Sequence, residues 1–169
     1  MSQGRSVTIR HLYVSSGHNF RGHHGGPAGT HPTLEVPAIT CRTGHGIEGD
    51  RYYDYRADFK GQVSFLAWEV FLGLTREFAV PALLPGALRR NVVLEGTDLN
   101  ELIGQCFALD GVEFLGMEEC RPCYWMDGAV APGAEAWLQG RGGLRAKILT
   151  DGVLRTGTTA LRLHAPAAA

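Results

Sequence analysis

Residues 106–117 read CFAL, then Asp110-Gly111, then VEFLGM. Two strand-favouring runs flank a dipeptide that tolerates the left-handed backbone of a two-residue turn, so this stretch admits an antiparallel hairpin and little else. The pattern returns at Asp151-Gly152, between LRAKILT and VLRTG, and predicts a second hairpin there. Strand-like composition also runs from Ser6 to Ser15 and from Leu34 to Thr43, where Pro37 demotes the segment to an edge or a bulge. Asn91 to Leu94 reads as a short strand, and Ala160 to Leu163 as a last one before the HAPAAA tail. Ser64 is placed to cap a helix from Phe65 to Phe78, with Phe65, Trp68 and Leu72 on one face and Pro81 and Pro85 beyond its end. A shorter helix fits between Gly133 and Gln139. Strands that come in hairpins, not in alternation with helices, predict a mainly β fold with a few helices. An antiparallel barrel or sandwich is expected, and a doubly wound sheet is not.

A length of 169 residues predicts one domain, with its core from about residue 7 to 163 and a flexible tail at 164–169. Sixteen Lys and Arg against seventeen Asp and Glu leave a formal charge of −1. That balance excludes a general nucleic-acid binder, which depends on many phosphate contacts, but leaves room for a local cluster holding one small anion. The opening segment, MSQGRSVTIRHLYVSS, has no apolar stretch of signal-peptide length, and no run approaches the ~20 apolar residues of a membrane span. A cytoplasmic protein is expected, with no membrane or nucleic-acid partner and its four cysteines reduced.

Five segments carry residues with chemistry to offer. Cys120-Arg121-Pro122-Cys123 is a C-x-x-C a few residues past a strand. The next helical signal comes only after Pro132, which disfavours a thioredoxin-like dithiol, and a zinc site would need a second pair of ligands. Two thiols packed as small hydrophobes stand as the alternative to a reactive thiolate, which the neighbouring Arg121 would favour. Arg89, Arg90 and Asn91 begin a buried-looking strand, where the guanidinium groups could grip phosphate or carboxylate, or form a solvated turn. Gly140-Arg141-Gly142-Gly143 could bring backbone N–H groups up to an anion, or be a plain turn. Asp50, in GIEGDR at 46–51, could accept hydrogen bonds from its own loop or pair with Arg51. Gly17 to Pro32 holds five glycines, two prolines and the histidines His18, His23, His24 and His31, with His45 nearby. So long a loop is expected to be ordered and close to the site, as a metal site or as a polar loop whose histidines bond backbone.

Taken in order, GIEGDR, a loop with FKGQ and a helix, PGALRRNVV, DLNELIG, a hairpin ending in CRPC, and GRGGLRA resemble the MOSC family. That domain stands at the C-terminus of molybdenum cofactor sulfurases and also forms short standalone proteins. The resemblance runs from about Val7 to Leu163 and implies a distorted antiparallel β-barrel. It implies that the late cysteine carries the function, which here falls on Cys123, after Arg121 and Pro122; Cys120 has no assigned counterpart. In amidoxime-reducing members that cysteine ligates molybdenum, and in sulfurase-linked members it carries or receives sulfur. The resemblance maps Arg89, Arg90, Asn91 and Arg141 to segments that bind the pterin phosphate, and Arg121, Gly142 and Asp50 complete the expected binding set. Arg90, Asn91 and Arg141 are expected to line one pocket with Cys123. The leading expectation is sulfurtransferase-like: Cys123 passes sulfur from a separate donor protein to a small anionic acceptor such as the molybdenum cofactor. One alternative is a molybdenum-cofactor-dependent oxidoreductase with Cys123 as metal ligand. Another is a non-catalytic module that binds a partner, or a metal ion through His18, His23, His24 and His31.

Overall fold

The computed structural model describes residues 4–165. In chain order these form β1 (Arg5–Val14), β2 (Leu34–Glu35), β3 (Ala38–Arg42), β4 (Gly46–Ile47), β5 (Val63–Ala67), α1 (Trp68–Glu77) and β6 (Val92–Glu95). There follow β7 (Cys106–Leu109), β8 (Val112–Glu119), α2 (Trp125–Ala129), α3 (Ala134–Leu138), β9 (Leu144–Ile148), β10 (Gly152–Arg155) and β11 (Gly157–His164). The strand order β11-β7-β8-β9-β5-β6-β1 closes on itself through β1 and β11, making a seven-stranded barrel. Its neighbours are antiparallel except β5 and β6, which run parallel because α1 crosses between them. β2 adds to β1, while β10, β3 and β4 form a small second sheet.

The barrel fills with the inward side of each strand. In β9, buried Leu144, Ala146 and Ile148 alternate with Arg145 and Lys147. Phe107 stacks on Phe114 within the barrel and Phe65 meets both edge-on, at centroid distances of 5.4–5.8 Å. A second apolar layer lies outside, where Leu66 and Val93 meet Phe71, Leu74, Met126 and Leu138 from the three helices.

The hairpin at Asp110-Gly111 forms as its sequence requires, with φ of 48° and 80° at the two turn residues. Asp151-Gly152 is not a hairpin. β9 pairs with β8 and β5, whereas β10 pairs with β3, from Gly152 opposite Cys41 to Arg155 opposite Ala38. The Asp151 carboxylate accepts from the Thr43 N–H at 2.7 Å and from Arg42 at 3.3 Å, turning the chain out of the barrel and into the small sheet. The helix expected from Phe65 is also corrected. Phe65 belongs to β5, the helix begins at Trp68, and the Ser64 hydroxyl bonds Asn91 instead of capping. The buried face is Phe71 and Leu74, with Leu72 exposed. Pro37 lies between β2 and β3, which belong to different sheets, and α3 fills the expected short helix. Residue 164 still belongs to β11, and residues 166–169 of the expected tail lie outside the described residues.

β8 and β1 finish at the end of the barrel where β9 and β6 begin. The segments singled out for chemistry gather there.

Candidate functional site

A cavity of about 350 Å³ opens at this end. One wall is the C-x-x-C segment with the start of α2. The others are the loop after β1, the segment around Arg51 and Tyr52, and the approach to β6. Arg21, Arg51, Arg89, Arg90, Arg121 and Arg145 line it, and among the described residues no Asp or Glu side chain does. Such a cavity attracts anions, since apolar walls strengthen the field of the cations.

Both cysteines of the motif line the cavity. The Cys120 N–H donates to the Gly143 carbonyl at 2.8 Å, extending the β8/β9 ladder by one residue, and its carbonyl accepts from Arg90 at 3.0 Å. Cys120 is buried and Cys123 half-buried. The Cys123 carbonyl accepts from the Met126 N–H at 2.9 Å as α2 starts. A helix therefore follows the motif at once, well before Pro132, because Trp125 and Met126 pack down against Phe20 and the outer apolar layer. Cys41 and Cys106 are buried elsewhere in the fold, and burial pushes the Cys41 thiol up to about 12, which makes it inert at neutral pH.

The two adjacent arginines act on backbone. Arg90 donates from Nε to Gly142, from Nη1 to Leu88 and from Nη2 to Cys120, all carbonyls, at 2.9–3.0 Å. It staples the approach to β6, the glycine turn and the cysteine segment together. Arg89 takes a left-handed backbone, φ 57°, at the end of a 3-10 turn, which sends its side chain to the other side. There it donates to the Ser15 hydroxyl and Gly17 carbonyl, and to the His31 carbonyl and Thr33 hydroxyl. Burial, then the charge of Arg51, pulls its guanidinium down to about 10, with Asp50 opposing.

Four members of the expected binding set stand outside the cavity lining. Asn91 ties Ser64 to Tyr13 and Asp50. Asp50 is a buried hub that accepts from the Ser15 and Tyr52 N–H groups, Asn91 and Arg51. Arg141 is exposed and stacks on Trp137, 4.3 Å from the ring centroid. Gly142 and Gly143 serve close packing. A Cβ on Gly142 would sit 2.5 Å from the Cys120 carbonyl oxygen, and one on Gly143 would sit 2.1 Å from that of Phe65. The N–H groups of Arg141 and Gly142 already have partners in Leu138 and Glu119, so this turn does not cradle an anion. Of the residues expected to share a pocket with Cys123, Arg90 does so and Asn91 and Arg141 do not.

The histidine loop is built against the cavity but does not assemble the expected metal site. Asn19 exchanges two hydrogen bonds with the His31 backbone, closing the loop at its neck. His18 lies edge-on to Tyr52 at 5.0 Å and His24 edge-on to Tyr124 at 5.0 Å, and both line the cavity. His23 bonds the Pro27 carbonyl, and the His31 ring packs over Gly17. The four rings point to four different neighbours, and among the described residues no group of three or more His, Cys, Asp or Glu side chains converges as a metal ion requires. Burial, followed by the charges of Arg51 and Arg21, holds the His18 imidazole below its ordinary value.

Arg145, Tyr52 and Trp125 also line the cavity and were not singled out from the sequence, and Arg51 was named there only as a partner for Asp50. Arg145 looks like a solvated residue on the polar side of β9. The available signal was Glu118, which stands opposite it on β8 and pairs with it at 3.5 Å.

Comparison with known proteins agrees with this architecture. The MOSC domain pattern matches residues 21–160. No curated protein matches the chain. Among solved structures, the YuaD protein from Bacillus subtilis superposes with a TM-score of 0.73 at 20% identity, covering 98% of this chain and 100% of that one. YiiM from Escherichia coli gives 0.65 at 16% identity, over 99% of this chain and 72% of its own. YiiM from Geobacillus stearothermophilus gives 0.68 at 15%, over 94% and 75%. At these identities the likeness is one of fold.

Proposed function

The chain belongs to the MOSC domain family, and from that membership we propose that it carries sulfur on Cys123 and passes it to a small anionic acceptor of the molybdopterin class. The observation that carries this reading is a half-buried thiol in the wall of a cavity lined by six arginines and, among the described residues, no carboxylate. The thiolate is the nucleophilic form of a cysteine, and the cations of the cavity suit an anionic acceptor. In the loading step the Cys123 thiolate attacks the outer sulfur of a donor persulfide, a new S–S bond forms at Cys123, and the donor leaves as its thiolate. The donor is a separate protein.

A phosphate-bearing pterin suits the cavity in size and charge. Arg21 and Arg121 would hold its phosphate, while the hydrogen bonds of Arg51, Arg89, Arg90 and Arg145 go to protein groups. The Trp125 Nε1–H is buried, and among the described residues no acceptor meets it. When bound, the cofactor would supply the metal centre that takes the sulfur.

Reduced protein incubated with a small-molecule persulfide should gain the mass of one sulfur atom, mapped by peptide analysis to Cys123. Cys123→Ser should abolish the gain, and Cys120→Ser should keep it. Sulfur found on Cys120, or no uptake by either the wild type or Cys120→Ser, would overturn the reading.

A further inference from the structure

Cys120 plays no part in the loading step, yet it is the more firmly held of the two thiols. Gly143 and Arg90 fix its N–H and its carbonyl, which sets the direction of its side chain. The β8/β9 register places Glu118 opposite Arg145 and Glu119 opposite Leu144. Side chains alternate along a strand, so Cys120 shares a face with Glu118, and Arg145 lies one diagonal step away on that face. Straight across from Cys120 is Gly143, which has no side chain to stand between the guanidinium and the sulfur. Cys120 and Arg145 also line the same cavity. Burial pulls the Arg145 guanidinium down, but the neighbouring Cys120 sulfur, joined by Tyr52 and Glu118, outweighs that and leaves it above its ordinary value.

We propose that Cys120 is a resolving thiol: paired with Arg145, its thiolate attacks the inner sulfur of a persulfide on Cys123, closes a Cys120–Cys123 disulfide and expels hydrosulfide. The proposal rests on Cys123 as the sulfur carrier. The S–S bond from the Cys123 Sγ to the outer sulfur breaks, and its electron pair leaves with that sulfur, which keeps its proton as HS⁻. The new bond joins the two Sγ atoms. The outer sulfur is reduced to sulfide, and the two cysteine sulfurs together give up the two electrons. The persulfide is thus the only oxidant needed, and an external dithiol resets the pair. Hydrosulfide is released into a cavity lined by cations, where an anionic acceptor would already sit.

The test uses full-length reduced protein loaded with glutathione persulfide, desalted, and followed without added thiol. Wild-type protein should release one sulfide per loaded chain, trapped with a bimane reagent. Its mass should change from a gain of one sulfur to a loss of two hydrogens, with the disulfide mapped to Cys120 and Cys123. This arm needs no variant. Cys120→Ser should load and hold its sulfur, releasing sulfide at least about tenfold more slowly. Arg145→Gln should release its loaded sulfur about tenfold more slowly than wild type, because Cys120 loses the cation beside its sulfur. Release from Cys120→Ser at the wild-type rate, or a wild-type persulfide that persists with no disulfide, would overturn the resolving role and leave Cys123 as carrier. Failure of wild type and Cys120→Ser alike to load would overturn the carrier reading itself, and this proposal with it.

Discussion

Arg90 and Arg141 carry the same guanidinium and do opposite things. Arg90 is buried and satisfies three backbone carbonyls, so removing it strands Gly142, Leu88 and Cys120 carbonyl oxygens in the interior. A stranded buried acceptor costs about 1–3 kcal/mol, and Arg90→Ala should lose on the order of 3 kcal/mol or more in urea unfolding. Arg141→Ala gives up an exposed stack on Trp137 and should cost less than about 1 kcal/mol. Equal losses for the two would refute the assignment of Arg90 as a backbone staple. Nothing in the motif separates these residues, because the sequence shows the donor and hides its acceptor. The left-handed turn at Arg89 is equally hidden, and it sends two neighbouring arginines to opposite tasks.

The glycine turn before β9 belongs to the scale of elements. Three layers meet there: the end of β8, the start of β9 and β5, with the Phe65 carbonyl against Gly143. Gly143 has φ 114°, a region side chains avoid, and no room for a Cβ. Gly143→Ala should therefore destabilise by about 2 kcal/mol or more and slow the labelling of Cys123, because the segment pinned to this turn must move. A thermal midpoint unchanged from wild type would contradict this packing role. Elements whose geometry is set locally were legible in the sequence. The Asp110-Gly111 hairpin needs only its own twelve residues, and it forms. Asp151-Gly152 has the same dipeptide, but β10 finds its partner in β3, far back in the chain, and no local pattern encodes that choice. Phe65 was misassigned for a related reason: apolar spacing cannot distinguish a buried strand from a helix when one runs directly into the other. That Cys123 and Arg90 line one cavity was legible because the family resemblance supplied their order. Arg145 was not, since its role arises from a cross-strand register.

At the scale of the whole molecule, the cavity's charge is coupled to stability. His18 is held below its ordinary value by burial and by Arg51 and Arg21, so at this residue the folded chain binds fewer protons than the unfolded chain. That contribution is complete above the unfolded value near pH 6.5 and is lost as pH falls below it. The thermal midpoint, followed from about pH 7.5 down to about pH 5, should drop more steeply in the wild type than in His18→Gln. Superimposable profiles would show that His18 does not sense this field. The barrel adds a second property of the whole: β1 and β11 pair directly, so the two ends of the described chain meet in one ladder.

The neck of the histidine loop has a consequence for how such a protein can change over generations. Asn19, His31 and Arg89 hold the base of the loop, and among the described residues none between Phe20 and Ala28 takes part in strand pairing. The tip is therefore a cassette. It can be lengthened, shortened or rewritten while the thiols and the staple beneath it stay in place. Under the proposed function, preference for one acceptor over another could drift with the tip independently of the sulfur chemistry, so descendants of this chain could diverge in substrate without rebuilding the site.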